Sequence, residues 1–167
     1  MDKITKELLV YIKYGVSGIV MNGDDVLLVR HTYGPAKGQL LIPGGHVEAG
    51  EMPDEAAARE VFEETMVEAQ LISLVAARFR ANDIWLIFLF KHVSGIPVSD
   101  EKENDVAIYK NITAASVDTK VTESTRFLLR NYLECESCGS RLNPYVPEGY
   151  NAGDYRFFAS QRGDSDG

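Results

Sequence analysis

Cysteine is nearly absent from this chain: Cys135 and Cys138 form one Cys-x-x-Cys pair, and there are no others. A structural zinc site normally takes four ligands. No further cysteine and no histidine lies nearby, so the pair reads as two thiols without a zinc site of their own. Basic residues are also in the minority. Seventeen Lys and Arg against 25 Asp and Glu give a formal net charge of −8, which disfavours nucleic acid as a partner, because non-specific binding depends on clustered positive charge. No apolar run reaches the ~18 residues of a membrane span. Asp2, Lys3, Lys6, Glu7 and Lys13 break up the first stretch, so no signal peptide is expected either and the expected location is cytoplasmic.

What remains is ordinary: 167 residues, 45% hydrophobic and 25% charged, suited to one domain with a sizeable core. Against that background one stretch stands out. Arg59-Glu60-Val61-Phe62-Glu63-Glu64 crowds three carboxylates into a segment whose Ala, Glu, Arg and Met content favours helix. At about 100° per residue, Glu60, Glu63 and Glu64 fall on one side, while Ala57, Ala58, Val61, Phe62 and Thr65 supply an apolar stripe opposite. The three carboxylates are therefore expected to face outward together. A solvated acidic face is the commoner meaning of such a pattern. Clustered oxygen ligands also suit hard divalent cations such as Mg²⁺ or Mn²⁺, which offset the repulsion and can bridge to phosphates. An acidic protein that handles polyanions needs such a reversal of its local field.

The flanks favour the second reading. Leu41-Ile42-Pro43-Gly44-Gly45 is a short apolar run ending in a double glycine, which allows close backbone approach to a ligand. From Gly45 to Val67 the spacing resembles the Nudix box: glycine, five residues, Glu51, seven residues, Arg59-Glu60, the aliphatic Val61, one residue, Glu63-Glu64, and after one more residue a glycine and an aliphatic, Val67. Met66 stands in place of that last glycine, a departure at the helix end where a residue without Cβ eases the turn.

The resemblance implies an α/β/α sandwich with a mixed β-sheet between helices. It implies hydrolysis of a pyrophosphate within a nucleoside diphosphate derivative, a small-molecule substrate, with Mg²⁺ or Mn²⁺ as cofactor. Glu60, Glu63 and Glu64 would be metal ligands together with the Gly44 carbonyl, Glu60 or Glu63 would activate water, and Glu51 would pair with Arg59 to brace the loop. Relatives often draw a further ligand or base from a later acidic segment, here Glu103 or Glu101. Two other functions stay open: a non-catalytic nucleotide-metabolite sensor, and an RNA 5′-end pyrophosphohydrolase. No box carboxylate is lost, which counts against the first, and the acidic balance counts against the second.

The rest of the chain supplies supporting elements. Tyr11 to Arg30 reads as a hairpin around Asn22-Gly23-Asp24-Asp25. Arg30, His31, Tyr33 and Lys37 follow as candidates for contacting phosphate or base, with Arg80 later. Met52-Pro53-Asp54-Glu55 starts the acidic helix, with proline first and acids in the first turn. Residues 69–80 and 84–92 form a second hairpin. Its Trp85-Leu86-Ile87-Phe88-Leu89-Phe90 run is too continuous for a one-faced sheet and is expected to be central. Asp105 to Lys110 is the next strand, and Thr122 caps a helix to Leu133 with Phe127, Leu128 and Leu129 inward. Residues 1–133 form the domain. Residues 134–167 are an extension whose Tyr145, Tyr150, Tyr155, Phe157 and Phe158 need covering, either by their own domain or in a homodimer.

Overall fold

The computed structural model describes residues 12–134, position 149, and the backbone of 142–145 and 156–160. The entry segment expected over residues 1–10, the Cys135–Cys138 pair, Tyr150 and Tyr155 lie outside the described residues. Strands β1 (Lys13–Asn22) and β2 (Asp25–His31) form the first hairpin, with Asn22 opposite Asp25. Two short strands follow, β3 (Leu40–Leu41) and β4 (Gly44–His46), and then helix α1 (Pro53–Thr65). The long hairpin of β5 (Glu68–Arg80) and β6 (Asp83–Ser94) comes next, followed by β7 (Asn104–Asn111). Helices α2 (Ile112–Val117) and α3 (Glu123–Glu134) and strands β8 (Leu142–Tyr145) and β9 (Arg156–Ser160) complete the order.

These strands make one sheet in the order β3-β2-β1-β6-β5-β9-β8, with β4 also on β1 and β7 also on β2. Only the β1–β6 pairing is parallel, Lys13 opposite Asp83 through Met21 opposite Lys91, so the sheet is mixed. Side chains alternate across a strand, and the core divides accordingly. Val16, Val20, Leu27, Phe88 and Phe90 meet Ala56, Ala57 and Val61 of α1. Ile19, Val26, Leu28 and Ile87 meet Phe127, Leu128 and Leu129 of α3 and Ile112 and Ala115 of α2. Helices thus cover both faces of a mixed sheet, as an α/β/α sandwich requires, and β6 is central and two-sided. Leu129 is fully buried, so truncating it to alanine should cost about 2–5 kcal/mol.

Sequence and structure part company in three places. Glu64 is not on an outward acidic face; only 2% of it is exposed. Phe62 is 42% exposed and Ala56 takes the inward place assigned to it. The apolar arc of α1 runs through Ala56, Ala57, Val61 and Thr65 and takes in Glu64. Third, α2 was not foreseen. Ile112, Thr113 and Val117 have poor helix propensity, and Asn111 compensates by accepting the Ala114 N–H at 3.2 Å as a cap.

Helix α1 begins on Pro53, with Asp54 and Glu55 in its first turn. It ends on Met66, whose φ of 58° is left-handed and whose N–H returns to the Phe62 carbonyl. That is the conformation glycine adopts at no steric cost. In α3, Thr122 Oγ1 accepts the Thr125 N–H. Beyond α3 the backbone of β9 pairs with β5, Ala76 opposite Ala159, and β8 closes the sheet as its outer strand.

Candidate metal and catalytic site

The site is assembled where β4, α1, the loop after β2 and the loop before β7 converge. Glycine is required at Gly44, where a Cβ would meet backbone, and at Gly45 it leaves room for the Glu60 carboxylate. A Cβ on Gly45 would lie 2.3 Å from Glu60 Oε1, and one on Gly44 would lie 2.2 Å from the Val16 carbonyl. The double glycine therefore lets the strand touch the carboxylate side of the helix. Gly44 N–H also donates to Glu64 Oε1 at 3.3 Å.

Arg59 is the hub of the outer part. Its Nε and Nη2 form a fork on Glu51 at 2.8 and 3.0 Å, and its Nη1 reaches Glu60 at 2.9 Å and Glu63 at 3.1 Å. The same guanidinium donates to the His46 carbonyl at 3.1 Å, which ties helix, β4 and the connecting loop together. Glu51 also accepts the Glu48 N–H. The Glu51 fork holds the guanidinium well above its ordinary pKa, and the same contact keeps Glu51 low. The expected Glu51–Arg59 pairing is present in this geometry.

Glu64 is the inner part. Burial raises its carboxyl to about 8, against the opposing Gly44 N–H, and the nearby Glu60, Glu103 and Asp100 carboxylates push the same way. Its Oε2 is buried with no hydrogen-bond partner. Burial likewise raises Glu60 despite its bond to Arg59. Glu63 is the outermost of the three, with 58% of its side chain exposed.

The loop before β7 brings Glu103 into the same field. Asp100 Oδ1 accepts the backbone N–H groups of Lys102, Glu103 and Asn104 at 2.9–3.0 Å, closing the loop on itself. Asn104 is fully buried and donates Nδ2 to the Glu64 carbonyl at 2.9 Å. The Thr32 N–H donates to the Glu103 carbonyl at 3.0 Å, and Tyr33 donates its hydroxyl to Glu103 Oε2 at 2.7 Å. That bond, more than burial or the surrounding carboxylates, pushes the Tyr33 phenol up to about 12. Glu101, the other acidic candidate, adopts a left-handed φ of 56° on this loop.

The remaining candidates separate. His31 stacks on Tyr33, ring centroids 5.4 Å apart. Its Nε2 is buried without a partner, and burial lowers its pKa. Arg30 is engaged by a fork on Asp105 at 2.8 and 2.9 Å, across a register shift between β2 and β7. Lys37 is exposed on the loop after β2, and Arg80 is exposed at the β5–β6 turn. Asn104 and Asp100 were missed as positioning residues. The two flank Glu103 by one and three positions, and an Asx residue ahead of a strand is the signal that could have found Asp100.

Among the described residues no three His, Cys, Asp or Glu side chains form a ready-made metal cage. Glu60 and Glu63 both bond Arg59. The donors nonetheless fit a hard divalent cation. They are all oxygens, and Glu64 Oε2 is a buried carboxylate oxygen that lacks any counter-group.

Comparison with known proteins shows the family. The model of the NUDIX domain matches residues 12–130. The chain belongs to the Nudix family. It is 33% identical over 86 residues to an ADP-ribose pyrophosphatase of Methanocaldococcus jannaschii, an alignment covering 48% of this chain and 51% of that relative. The chain thus spans about half the length of this curated relative. Among solved structures, a NUDIX hydrolase from Nitrosomonas europaea superposes with a TM-score of 0.67 at 20% identity, covering 74% of this chain and 71% of the other. A bifunctional NMN adenylyltransferase/ADP ribose pyrophosphatase from Francisella tularensis, complexed with AMP and a Mn ion, gives a TM-score of 0.60 at 19% identity, over 79% of this chain and 44% of that one. At these identities the structural likeness speaks for the fold alone. In the Nudix chain described here, no helix among the described residues is long and apolar enough to cross a membrane.

Proposed function

We propose that this chain is a divalent-metal-dependent hydrolase that cleaves the pyrophosphate linkage of a nucleoside diphosphate derivative: a nucleotide sugar, an ADP-ribose-like compound or a nucleoside triphosphate. The observation that carries the reading is Glu64, a buried carboxylate with an unpartnered oxygen beside Glu60 and Glu103. Glu60, Glu63 and Glu64, with the Gly44 carbonyl and Glu103, would hold Mg²⁺ or Mn²⁺. When bound there, the cation supplies charge neutralisation for phosphate oxygens and a lowered pKa for water.

The residues of the chain do the rest. Gly44 and Gly45 keep the approach to the carboxylates open, since a Cβ at either would collide with backbone or with Glu60. Arg59 fixes the side chains of Glu60 and Glu63 and is itself fixed by Glu51. Glu60 or Glu63 takes the proton of the attacking water as a P–O bond of the anhydride breaks. Tyr33 and Lys37, on one exposed loop, are the residues offered to the substrate, with His31 stacked behind Tyr33. The name of the archaeal relative favours an ADP-ribose-like substrate among the three classes.

The test is a panel of ADP-ribose, nucleotide sugars and nucleoside triphosphates with Mg²⁺ or Mn²⁺, read by product mass. Cation-dependent conversion of ADP-ribose to AMP and ribose 5-phosphate is the expected result. Binding of nucleotides without turnover of any would replace the enzyme by a sensor. A homodimer is read separately, by light scattering of the full chain.

A further inference from the structure

Two loops flank the site, one after β2 and one before β7. In this chain they are joined. Thr32 and Tyr33 follow β2, and between them they hold Glu103 at both ends. The Thr32 N–H and hydroxyl bond the Glu103 carbonyl at 3.0 and 3.2 Å, and the Tyr33 hydroxyl bonds the Glu103 carboxylate at 2.7 Å. Asp100 closes the loop beneath, and Asn104 anchors it to the Glu64 carbonyl.

Without such support Glu103 would not stay. It sits on an exposed loop where a free glutamate side chain samples many rotamers. A hydrogen bond to one carboxylate oxygen fixes the rotamer and leaves the other oxygen available as a ligand, which is how partners of ligating carboxylates orient them. We propose that Tyr33 is a positioning residue for Glu103, presenting its free oxygen to the divalent cation held by Glu60 and Glu64. The inference rests on the reading of Glu103 as a ligand. It gives Tyr33 a task besides facing the substrate, and it makes the loop after β2 part of the metal site.

The experiment is Mn²⁺ binding to the full chain stripped of metal, followed by the electron paramagnetic resonance of free Mn²⁺, without substrate or turnover. Wild type, Tyr33→Phe, Glu103→Gln and the double variant are compared. Glu103→Gln is expected to weaken Mn²⁺ binding by at least about tenfold, and Tyr33→Phe by roughly tenfold, the usual scale for a group that orients a ligand. The double variant should bind no more weakly than Glu103→Gln alone, because Tyr33 acts only through Glu103. Tyr33→Phe binding as tightly as wild type, or more tightly, while Glu103→Gln is weakened, overturns the inference and leaves the ligand reading standing. Losses that add in the double variant overturn it too. An unaffected Glu103→Gln would remove the ligand reading and the inference with it.

Discussion

Helices α1 and α3 cover opposite faces of the same sheet and differ in what they do with charge. In α3, Glu123 pairs with Arg126 and Arg130 on the surface, while Phe127, Leu128 and Leu129 fill the core. Every charge of that cluster has a partner and water beside it. In α1 the core-facing arc contains a carboxylate, Glu64, with one oxygen unpartnered, and the outer arc hands Glu60 and Glu63 to a single arginine. Burying an uncompensated charge is destabilising. Net acidity says little here; the two helices differ in the position of one carboxylate, for Glu123 stays at the surface with its arginines and Glu64 lies in the arc that packs on the sheet.

The comparison breaks most visibly at Glu64. Glu64→Gln keeps the shape and removes the charge, and should lower cation-dependent kcat by at least about 10²-fold, in keeping with several kcal/mol of metal stabilisation. In the metal-free protein the same change should stabilise, because a neutral amide replaces a buried carboxylate. Steady-state kinetics beside thermal melting separates the two effects.

A pH scan of metal-free protein sharpens the contrast next. The folded carboxyl of Glu64 is raised from 4.5 to about 8, so the protonated form is favoured by folding. Its contribution is fully present below the unfolded value and is lost as pH rises through about 8. The melting temperature should fall between those limits, by an amount equivalent to a few kcal/mol at most, and Glu64→Gln should flatten the slope. Saturating Mg²⁺ should also restore stability at the alkaline end.

Smaller effects test the helix ends and the control surface. Met66→Gly should be tolerated and should stabilise by up to about 1 kcal/mol, since it relieves a left-handed φ in a residue with a Cβ. Metal affinity should be unchanged. Glu123→Gln in α3 should alter stability by no more than about 1 kcal/mol and leave kcat untouched, as its ion pairs are solvent-exposed.

Much of this was legible beforehand because local signals agreed. Gly23 after Asn22 marked the first turn, Pro53 with Asp54 and Glu55 marked a helix start, and the Trp85–Phe90 run marked a two-sided strand. The resemblance implied the Glu51–Arg59 pair, and helical spacing placed Glu63 four residues after Arg59, within its reach. Glu64 was misread because its neighbours on the helix surface are Glu60 and Glu63. Yet Ala57, Val61 and Glu64 follow the i, i+4, i+7 rhythm of a buried stripe, and that rhythm, not the charge, decides its place. The Tyr33–Glu103 bond was not legible, since it joins segments 70 positions apart that the pairing of β2 with β7 brings together, and neither was the bond of Asn104 to the Glu64 carbonyl, 40 positions away. Pro144 gave no hint of β8, and is accommodated because β8 is the outer strand of the sheet.

The central claim is that Glu64 and its neighbours hold a cation on which hydrolysis depends. Initial rates on the best nucleotide substrate of the panel, measured against Mg²⁺ concentration for wild type, Glu64→Gln and Glu123→Gln, test it directly. No turnover is expected after chelation, with saturable recovery in wild type and Glu123→Gln alike and at least about 10²-fold loss in Glu64→Gln at every Mg²⁺ concentration. Equal rates for Glu64→Gln and wild type at saturating Mg²⁺, or turnover that survives chelation, would contradict it.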